Sequence, residues 1–258
     1  MAAFEVTLWG GKAEREYRRA CPEMETLPWD SLVLDGDPVV LLAARTEWTE
    51  AAMQEHASAA MAAATLQKLV LAGTPIDLCG YFARVPSDEL VHAELCARMA
   101  LALGGAAALA WDRTPVTVTG EDLLIEAAEH VVAEMCVKES WSHALLKALS
   151  VAERAQPLQR LVWERILVDE VHHAGIGWMF LEWALGELPD SARPRLRAAA
   201  AKTAAALSSE IERVAALPEL HFSPLGVIGV LGRDGFATVG REALEVRVYK
   251  PLRRLELV

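Results

Sequence analysis

Hydrophobic positions recur with helical spacing along most of this 258-residue chain. The stretches that carry the pattern are rich in Ala, Leu and Val and contain few Pro or Gly, a composition that favours helices. Pro86 predicts a kink in the second helix, because proline cannot donate the backbone hydrogen bond of a helix interior. The pattern predicts helices at about residues 39–72, 75–104, 120–150, 157–188, 191–217 and 236–255.

The helices divide the chain into three predicted parts. Residues 1–37 contain the breakers Gly10-Gly11 and Cys21-Pro22, and we expect an irregular N-terminal arm with a short strand at residues 4–8. Residues 38–190 are predicted to form a four-helix bundle. Residues 191–258 are predicted to form a C-terminal helical extension packed on the bundle. The predicted fold class is therefore all-α.

Charge and cysteine usage narrow the function classes. The formal net charge of −11 argues against nucleic acid as a partner, because proteins that bind the phosphate backbone carry clustered Lys and Arg. No uninterrupted apolar run is long enough to span a membrane and no basic-then-apolar N-terminus is present, so neither a membrane span nor a signal peptide is expected. The 4 cysteines include no C-x-x-C pair, which indicates reduced thiols in a cytoplasmic protein.

The main chemical signal is a motif that occurs twice, as Asp88-Glu89-Leu90-Val91-His92 and as Asp169-Glu170-Val171-His172-His173. A Glu and a His three residues apart share one face of a helix, so each copy aims a carboxylate and an imidazole at one point. Two copies on facing helices would close these four groups around a pair of metal ions. A four-helix di-metal site also needs one Glu from each of the other two helices.

Distances along the chain from the helix turns select those two glutamates, because partners across an antiparallel hairpin lie at equal heights. Glu55 lies 18 residues before the turn at Gly73, and the first motif's Glu and His lie 16 and 19 residues after it. Glu139 likewise lies as far before the turn at Gln156 as the second motif's His lies after it. Glu134 would sit further from that turn, roughly 7.5 Å along the helix axis, and is kept as the reserve ligand.

The predicted ligand set is therefore oxygen-rich. Four carboxylates and two imidazoles suit iron or manganese better than zinc, which prefers a tetrahedron richer in sulfur or nitrogen. Such charges would be very costly in a helical core without cations to neutralise them. We expect two iron ions as cofactor, with manganese or a mixed manganese–iron pair as the alternative. The predicted ligands are Glu55, Glu89, His92, Glu139, Glu170 and His173.

Over residues 39–188 the chain resembles the ferritin-like di-iron carboxylate superfamily, and most closely an uncharacterised bacterial branch of it. The segments that carry the resemblance are 55–58, 88–96, 134–139 and 169–173. The resemblance implies a ferritin-like four-helix bundle. It also implies that the Asp before each Glu-x-x-His supports the His of the opposite motif, so that Asp88 orients His173 and Asp169 orients His92.

Two positions depart from the family. The radical-forming Tyr of ribonucleotide reductase subunits follows the motif Glu by seven residues, and Cys96 stands there, which argues against a tyrosyl radical. The Thr that several monooxygenases carry one turn after the third-helix Glu is replaced by His143, a candidate proton donor or catalytic residue.

The function predicted from these features is an oxidoreductase: a di-iron oxidase or oxygenase that uses O₂ to oxidise a small organic substrate. It would need an external electron donor, because no flavin or iron–sulfur motif is present. A homodimer is implied by the resemblance alone. Two alternatives stay open: a ferroxidase or iron-handling protein without organic substrate, and a metal-free helical interaction module.

Overall fold

The computed structural model describes residues 4–33, 37–109, 122–152, 155–218 and 231–258. Within these ranges the chain is helical and forms no strand, so the all-α prediction is confirmed. Two π-helical segments, Val132–Glu139 and Leu244–Tyr249, each join two α-helices end to end. Short 3₁₀ turns occur at Pro22–Glu25, Trp29–Ser31 and Asp190–Ala192. The helices are α1 (Gly11–Tyr17), α2 (Pro38–Leu71), α3 (Ile76–Phe82), α4 (Val85–Ala102), α5 (Leu123–Val131), α6 (Ser140–Ser150), α7 (Pro157–Glu187), α8 (Arg193–Ala215), α9 (Arg233–Ala243) and α10 (Lys250–Arg254).

Local sequence accounts for the helix ends. The Asp37 carboxylate accepts from Val39 N at 2.8 Å and caps α2. Gly73 takes the left-handed conformation, with φ of 74°, that closes the turn after α2. Gln156 and Gln159 form a reciprocal capping box at the start of α7. The third predicted helix begins at Leu123, and residues 120 and 121 lie outside the described part.

The second predicted helix is two helices. The chain breaks at Ala83 and Arg84, and α4 begins at Val85 with Pro86 in its first turn. The break lies where the kink was expected. A proline ring clashes with the carbonyl four residues earlier, but in the first turn of a new helix its missing N–H costs nothing.

The prediction of a strand in the N-terminal arm is wrong. The described arm contains α1 and two of the 3₁₀ turns, and residues 4–8 form no strand. Among the described residues, one backbone-to-backbone bond joins the arm to a distant segment, from Phe4 N to Leu109 O at 3.3 Å. Without a neighbouring strand to pair with, extended residues cannot build a sheet. Helix α1 instead gains support from the ion pair of Glu14 with Arg18.

Four long helical segments position the site. Helix α2 packs along α4, and the segment from α5 through α6 packs along α7, while α2 also contacts α5 and α4 contacts α7. We call these the four site helices. Helix α8 packs on the π-helical segment between α5 and α6, and α9 packs on α6. No described helix is both long and apolar enough to cross a membrane.

Buried apolar side chains form two clusters. One includes Phe180 and Leu196 and joins the C-terminal helices to the site helices. The other includes Met24 and Leu95 and joins the N-terminal arm to α4 and α7. The four cysteines are buried and free of disulfides. The paired motif lies on α4 and α7, which contribute to both clusters.

Candidate metal centre

The two motifs place their carboxylates and imidazoles inside the protein. Glu89 and His92 on α4 are 1% and 0% exposed, and Glu170 and His173 on α7 are 2% and 1% exposed. Each pair occupies one face of its helix, as a three-residue spacing requires. The structure therefore brings four of the six predicted ligands into the space between α4 and α7.

The ligand atoms form two overlapping groups. Within each group one ligand atom per residue lies within 4.8 Å of the others. The first group, which we call the His92 position, contains Glu55, Glu89, His92 and Glu170. The second, the His173 position, contains Glu139, Glu170 and His173. Glu170 belongs to both.

Both imidazoles lie close to the carboxylates of Glu89 and Glu170. His92 Nδ1 lies 3.3 Å from Glu170 Oε1 and 3.6 Å from Glu89 Oε2. His173 Nδ1 lies 3.3 Å from Glu89 Oε1 and 3.7 Å from Glu170 Oε1. Glu55, on α2, is the third carboxylate near this imidazole, with its Oε2 3.7 Å from His92 Nδ1. Glu89 and Glu170 are thus placed between the two imidazoles, where a carboxylate can bridge two cations.

Glu139 and the reserve ligand Glu134 lie in different environments. Glu139 is 6% exposed, and the Ser142 hydroxyl donates to its Oε2 at 3.3 Å. Glu134 lies outside both groups and pairs with Lys138, with Nζ to Oε2 at 3.3 Å. The structure therefore places Glu139 with Glu170 and leaves Glu134 in a local ion pair.

This difference gives a matched pair of substitutions. Glu139→Ala is expected to remove the metal at the His173 position, because a three-residue group would lose one of its oxygen donors. Glu134→Ala removes a carboxylate of the same helical segment and should leave two metals bound. Metal content per chain after reconstitution measures both. Two metals in Glu139→Ala and one in Glu134→Ala would reverse the assignment.

The two aspartates contact the opposite motif, as the resemblance implies. His92 Nε2 donates to Asp169 Oδ2 at 3.1 Å, and His173 Nε2 to Asp88 Oδ2 at 3.4 Å. A carboxylate only accepts, so Nε2 carries a hydrogen, and in the neutral imidazole Nδ1 then presents its lone pair. Both Nδ1 atoms face the carboxylate groups. The neutral tautomer with its hydrogen on Nε2 is therefore the one that metal binding through Nδ1 requires.

The residues fit a metal centre for a specific reason. Buried polar atoms are almost always hydrogen-bonded, since an unsatisfied one costs about 1–3 kcal/mol. Here five buried ligand atoms of four residues have no hydrogen-bond partner, and all belong to the two groups. Cations would satisfy them together. These atoms are Glu89 Oε1, Glu89 Oε2, His92 Nδ1, Glu170 Oε2 and His173 Nδ1.

The close packing of buried ionisable groups changes their pKa values. Burial raises the pKa of Glu55 to about 8, and the neighbouring Glu89 carboxylate contributes to the same rise. Burial and the Glu170 carboxylate raise the pKa of Glu139 well above its ordinary range. For His173, burial lowers the pKa, but the Asp88 and Glu89 carboxylates outweigh it and raise the pKa to about 10. Without cations the cluster therefore retains protons at neutral pH.

The pKa values of Glu89 and Glu170, which lie between the imidazoles, shift in the opposite direction. Burial would raise the pKa of Glu89, but the two facing imidazoles hold it below its ordinary range. Burial likewise opposes ionisation of Glu170, yet hydrogen bonds from the Glu139 carboxyl and the His92 imidazole lower its pKa. The carboxylates between the imidazoles therefore stay ionised.

The helix that carries Glu139 approaches α7 unusually closely. A Cβ added at Gly177 would lie 2.4 Å from Met135 Cβ and 3.2 Å from its carbonyl carbon. Met135 is in the π-helical segment that ends at Glu139, and π turns are frequent at functional sites. Gly177 thus lets this segment pack against α7 one turn beyond His173.

Sequence reasoning missed Arg165, which donates to Asp169 from one turn earlier on α7. An Arg four residues before an Asp on one helix face is the signal that could have identified it. His143 lies outside both groups, and its Nδ1 accepts from Arg247 at 2.8 Å. Burial and the Arg247 charge lower the pKa of His143. Cys96 is fully buried in the cluster of apolar side chains that includes Leu95.

Comparison of the chain with protein-family models, with curated proteins and with solved structures finds no match.

Proposed function

We propose that this protein is a di-iron carboxylate oxidase or oxygenase built on a ferritin-like four-helix bundle. One observation carries the proposal: five buried ligand atoms without hydrogen bonds converge in two groups that share Glu170. Without cations the cluster can reduce this desolvation cost only by retaining protons. A pair of divalent cations relieves it.

The donor set supports iron over zinc. The groups supply carboxylate oxygens and two imidazole nitrogens, and the cysteines, although buried, belong to neither group. Two ferrous ions, when bound, would supply electrons for the reduction of O₂, the oxidant so formed would take electrons from a small organic substrate, and an external electron donor would restore the ferrous state. Manganese, alone or mixed with iron, fits the same oxygen-rich set.

The protein's own residues perform the supporting chemistry. Asp88 and Asp169 accept from the imidazoles and hold them in the tautomer that donates its lone pair through Nδ1. Val132 and Cys136, both fully buried on the helical segment that carries Glu139, keep water from that part of the core. Met179 of α7 is 45% exposed and contributes less to this exclusion.

Two measurements test the proposal. Protein reconstituted with ferrous iron under anaerobic conditions is expected to bind two iron ions per chain and to consume O₂ when exposed to it. A protein that binds no iron, manganese or cobalt would instead support the metal-free interaction module. Iron loading far above two per chain, in a large closed assembly, would support ferroxidase and storage chemistry. The matched negative control is Glu89→Ala, which removes a carboxylate that contacts both imidazoles.

Metal binding should release protons. At pH 7 the raised pKa values of Glu55, Glu139 and His173 leave these groups largely protonated in the metal-free protein. Metal binds the deprotonated forms, so affinity should rise as the pH increases from about 6 towards 9. Calorimetric titration with Mn²⁺ in buffers of different ionisation enthalpy measures the protons released. A heat of binding independent of the buffer would contradict this prediction.

A further inference from the structure

The N-terminal arm, residues 4–33, contacts both motif helices beside the metal groups. On α4 the Tyr17 hydroxyl donates to Leu90 O at 3.1 Å, and Arg18 donates to Glu94 at 2.7 Å. These contacts flank His92 by two residues on either side. The arm is anchored by buried side chains, with Cys21 at 2% and Met24 at 0% exposure. It therefore lies against α4 at the height of the motif.

On α7 the arm makes its contact through one guanidinium group. Arg165 Nε donates to Glu23 of the arm, and Arg165 Nη1 donates to Asp169 Oδ2. The same Asp169 oxygen accepts from His92 Nε2 at 3.1 Å. The Asp169 side chain is 8% exposed and that of Arg165 is 17% exposed, so the contact between them is largely shielded from water, whereas the Glu23 side chain is 42% exposed. A continuous line of polar contacts thus runs from the arm to His92.

Asp88, which accepts from His173 as Asp169 accepts from His92, lacks such a connection to the described residues of the arm. Asp88 accepts from His173 at 3.4 Å, and among the described residues it has no Arg or Lys partner. Its side chain is 19% exposed, more than twice the fraction of Asp169. The two motifs are therefore similar in sequence, but only Asp169 is fixed by an arginine among the described residues. Within the described part of the chain, the His92 position alone is tied to the arm by such contacts.

We propose that Arg165 is a positioning residue through which the arm selectively strengthens metal binding at the His92 position. The inference rests on the proposed metal centre. A carboxylate held by both Arg165 and His92 has one orientation, so the imidazole ring keeps its Nδ1 aimed at Glu55, Glu89 and Glu170. The His173 position, without such a hold, depends less on the arm.

Thermodynamic linkage makes the coupling reciprocal. If docking of the arm raises the affinity for a divalent cation at the His92 position, that cation must stabilise the docked arm by the same factor. The arm is thus a structural element whose docking responds to metal loading. Loss of Arg165 should uncouple the two.

A double-mutant cycle with Co²⁺ as the only added ligand tests the positioning role. His173→Ala retains the imidazole of the His92 position, and His92→Ala retains that of the His173 position. Adding Arg165→Met is expected to weaken Co²⁺ binding about 10- to 100-fold in the His173→Ala background and to leave it unchanged in the His92→Ala background. Calorimetry and the visible absorption of bound Co²⁺ measure the affinities. Equal weakening in both backgrounds, or none in either, overturns the proposal.

The control variant is Arg98→Met. Arg98 ties the arm to α4 through Glu25 at 2.7 Å but makes no described contact with Asp169. Its loss should leave Co²⁺ affinity in the His173→Ala background unchanged. Glu23→Gln, which weakens the hold on Arg165, should lower that affinity by a smaller factor than Arg165→Met. A loss in Arg98→Met as large as in Arg165→Met would show general loosening of the arm and would overturn the positioning role.

Hydrogen exchange of the full-length wild-type protein tests the reciprocal effect. Co²⁺ is expected to slow amide exchange in residues 11–31 of the wild type but not of Arg165→Met. Unchanged exchange in the wild type, with Co²⁺ demonstrably bound, overturns the coupling while the metal centre stands. A wild type that binds no Co²⁺ overturns the metal centre and the inference together.

Discussion

Substitution of Glu170 with alanine is expected to abolish metal binding at both positions of the cluster. Glu170 is the residue that the two groups share, and its Oε1 lies 3.3 Å from His92 Nδ1 and 3.7 Å from His173 Nδ1. Without it each group loses an oxygen donor, and the two imidazoles face each other with less negative charge between them. Metal analysis after reconstitution should find less than one metal per chain, against the two expected for the wild type.

The fold of Glu170→Ala should persist, because alanine favours the helix and the buried apolar side chains of α7, such as Ile166 and Ile176, remain in place. Circular dichroism and thermal melting of the metal-free forms check this. Glu164→Ala, an exposed position on the same helix, is the matched control and should bind two metals. Two metals bound by a folded Glu170→Ala would contradict the shared role.

Substitution of Gly177 with alanine is expected to destabilise the protein by about 1–3 kcal/mol, the usual cost of overpacking a core. The added Cβ would meet Met135 Cβ at 2.4 Å, and the next nearest atoms are backbone, so no flexible side chain can yield. Helix α7 must move away from the π-helical segment. That movement would also separate Glu139 from Glu170 and His173 and weaken the His173 position.

Gly175→Ala provides the control from the same helix. No described atom lies within 4 Å of a Cβ added at Gly175, so the alanine should be accommodated and should stabilise the helix by about 0.5–1 kcal/mol. Thermal melting of both variants, with and without Mn²⁺, measures the stabilities. Equal melting temperatures for Gly177→Ala and Gly175→Ala would contradict the close approach.

Much of the helical architecture follows from local sequence. The spacing of apolar residues and the signals at Asp37, Gly73 and Pro157 locate helix ends within a few residues, because caps and prolines act on their own turn. Distances along the chain from two turns were enough to select Glu55 and Glu139, since straight antiparallel helices keep partners at equal heights. That these residues hold a metal stays a prediction.

A kink was predicted near Pro86, but the start of a new helix there was not, and neither was the helix in the arm. Pro86 indicates a disturbance, but whether the chain kinks or starts a new helix depends on how the flanking turns pack. In the arm, Phe4 has high strand propensity, yet a strand needs a partner with free backbone groups and the described fold offers none. In both places the local pattern is compatible with more than one structure, and contacts with segments distant in sequence decide between them.

The helical class of the protein, and the placement of each motif's Glu and His on one helix face, follow from local sequence, because helix periodicity is a property of the backbone. The link from Arg165 to the arm, and the close packing of a π-helical segment at Gly177, arise from the packing of the folded chain. These features depend on contacts between segments far apart in the chain. No local pattern of residues encodes such distances, so they emerge only when the helices pack.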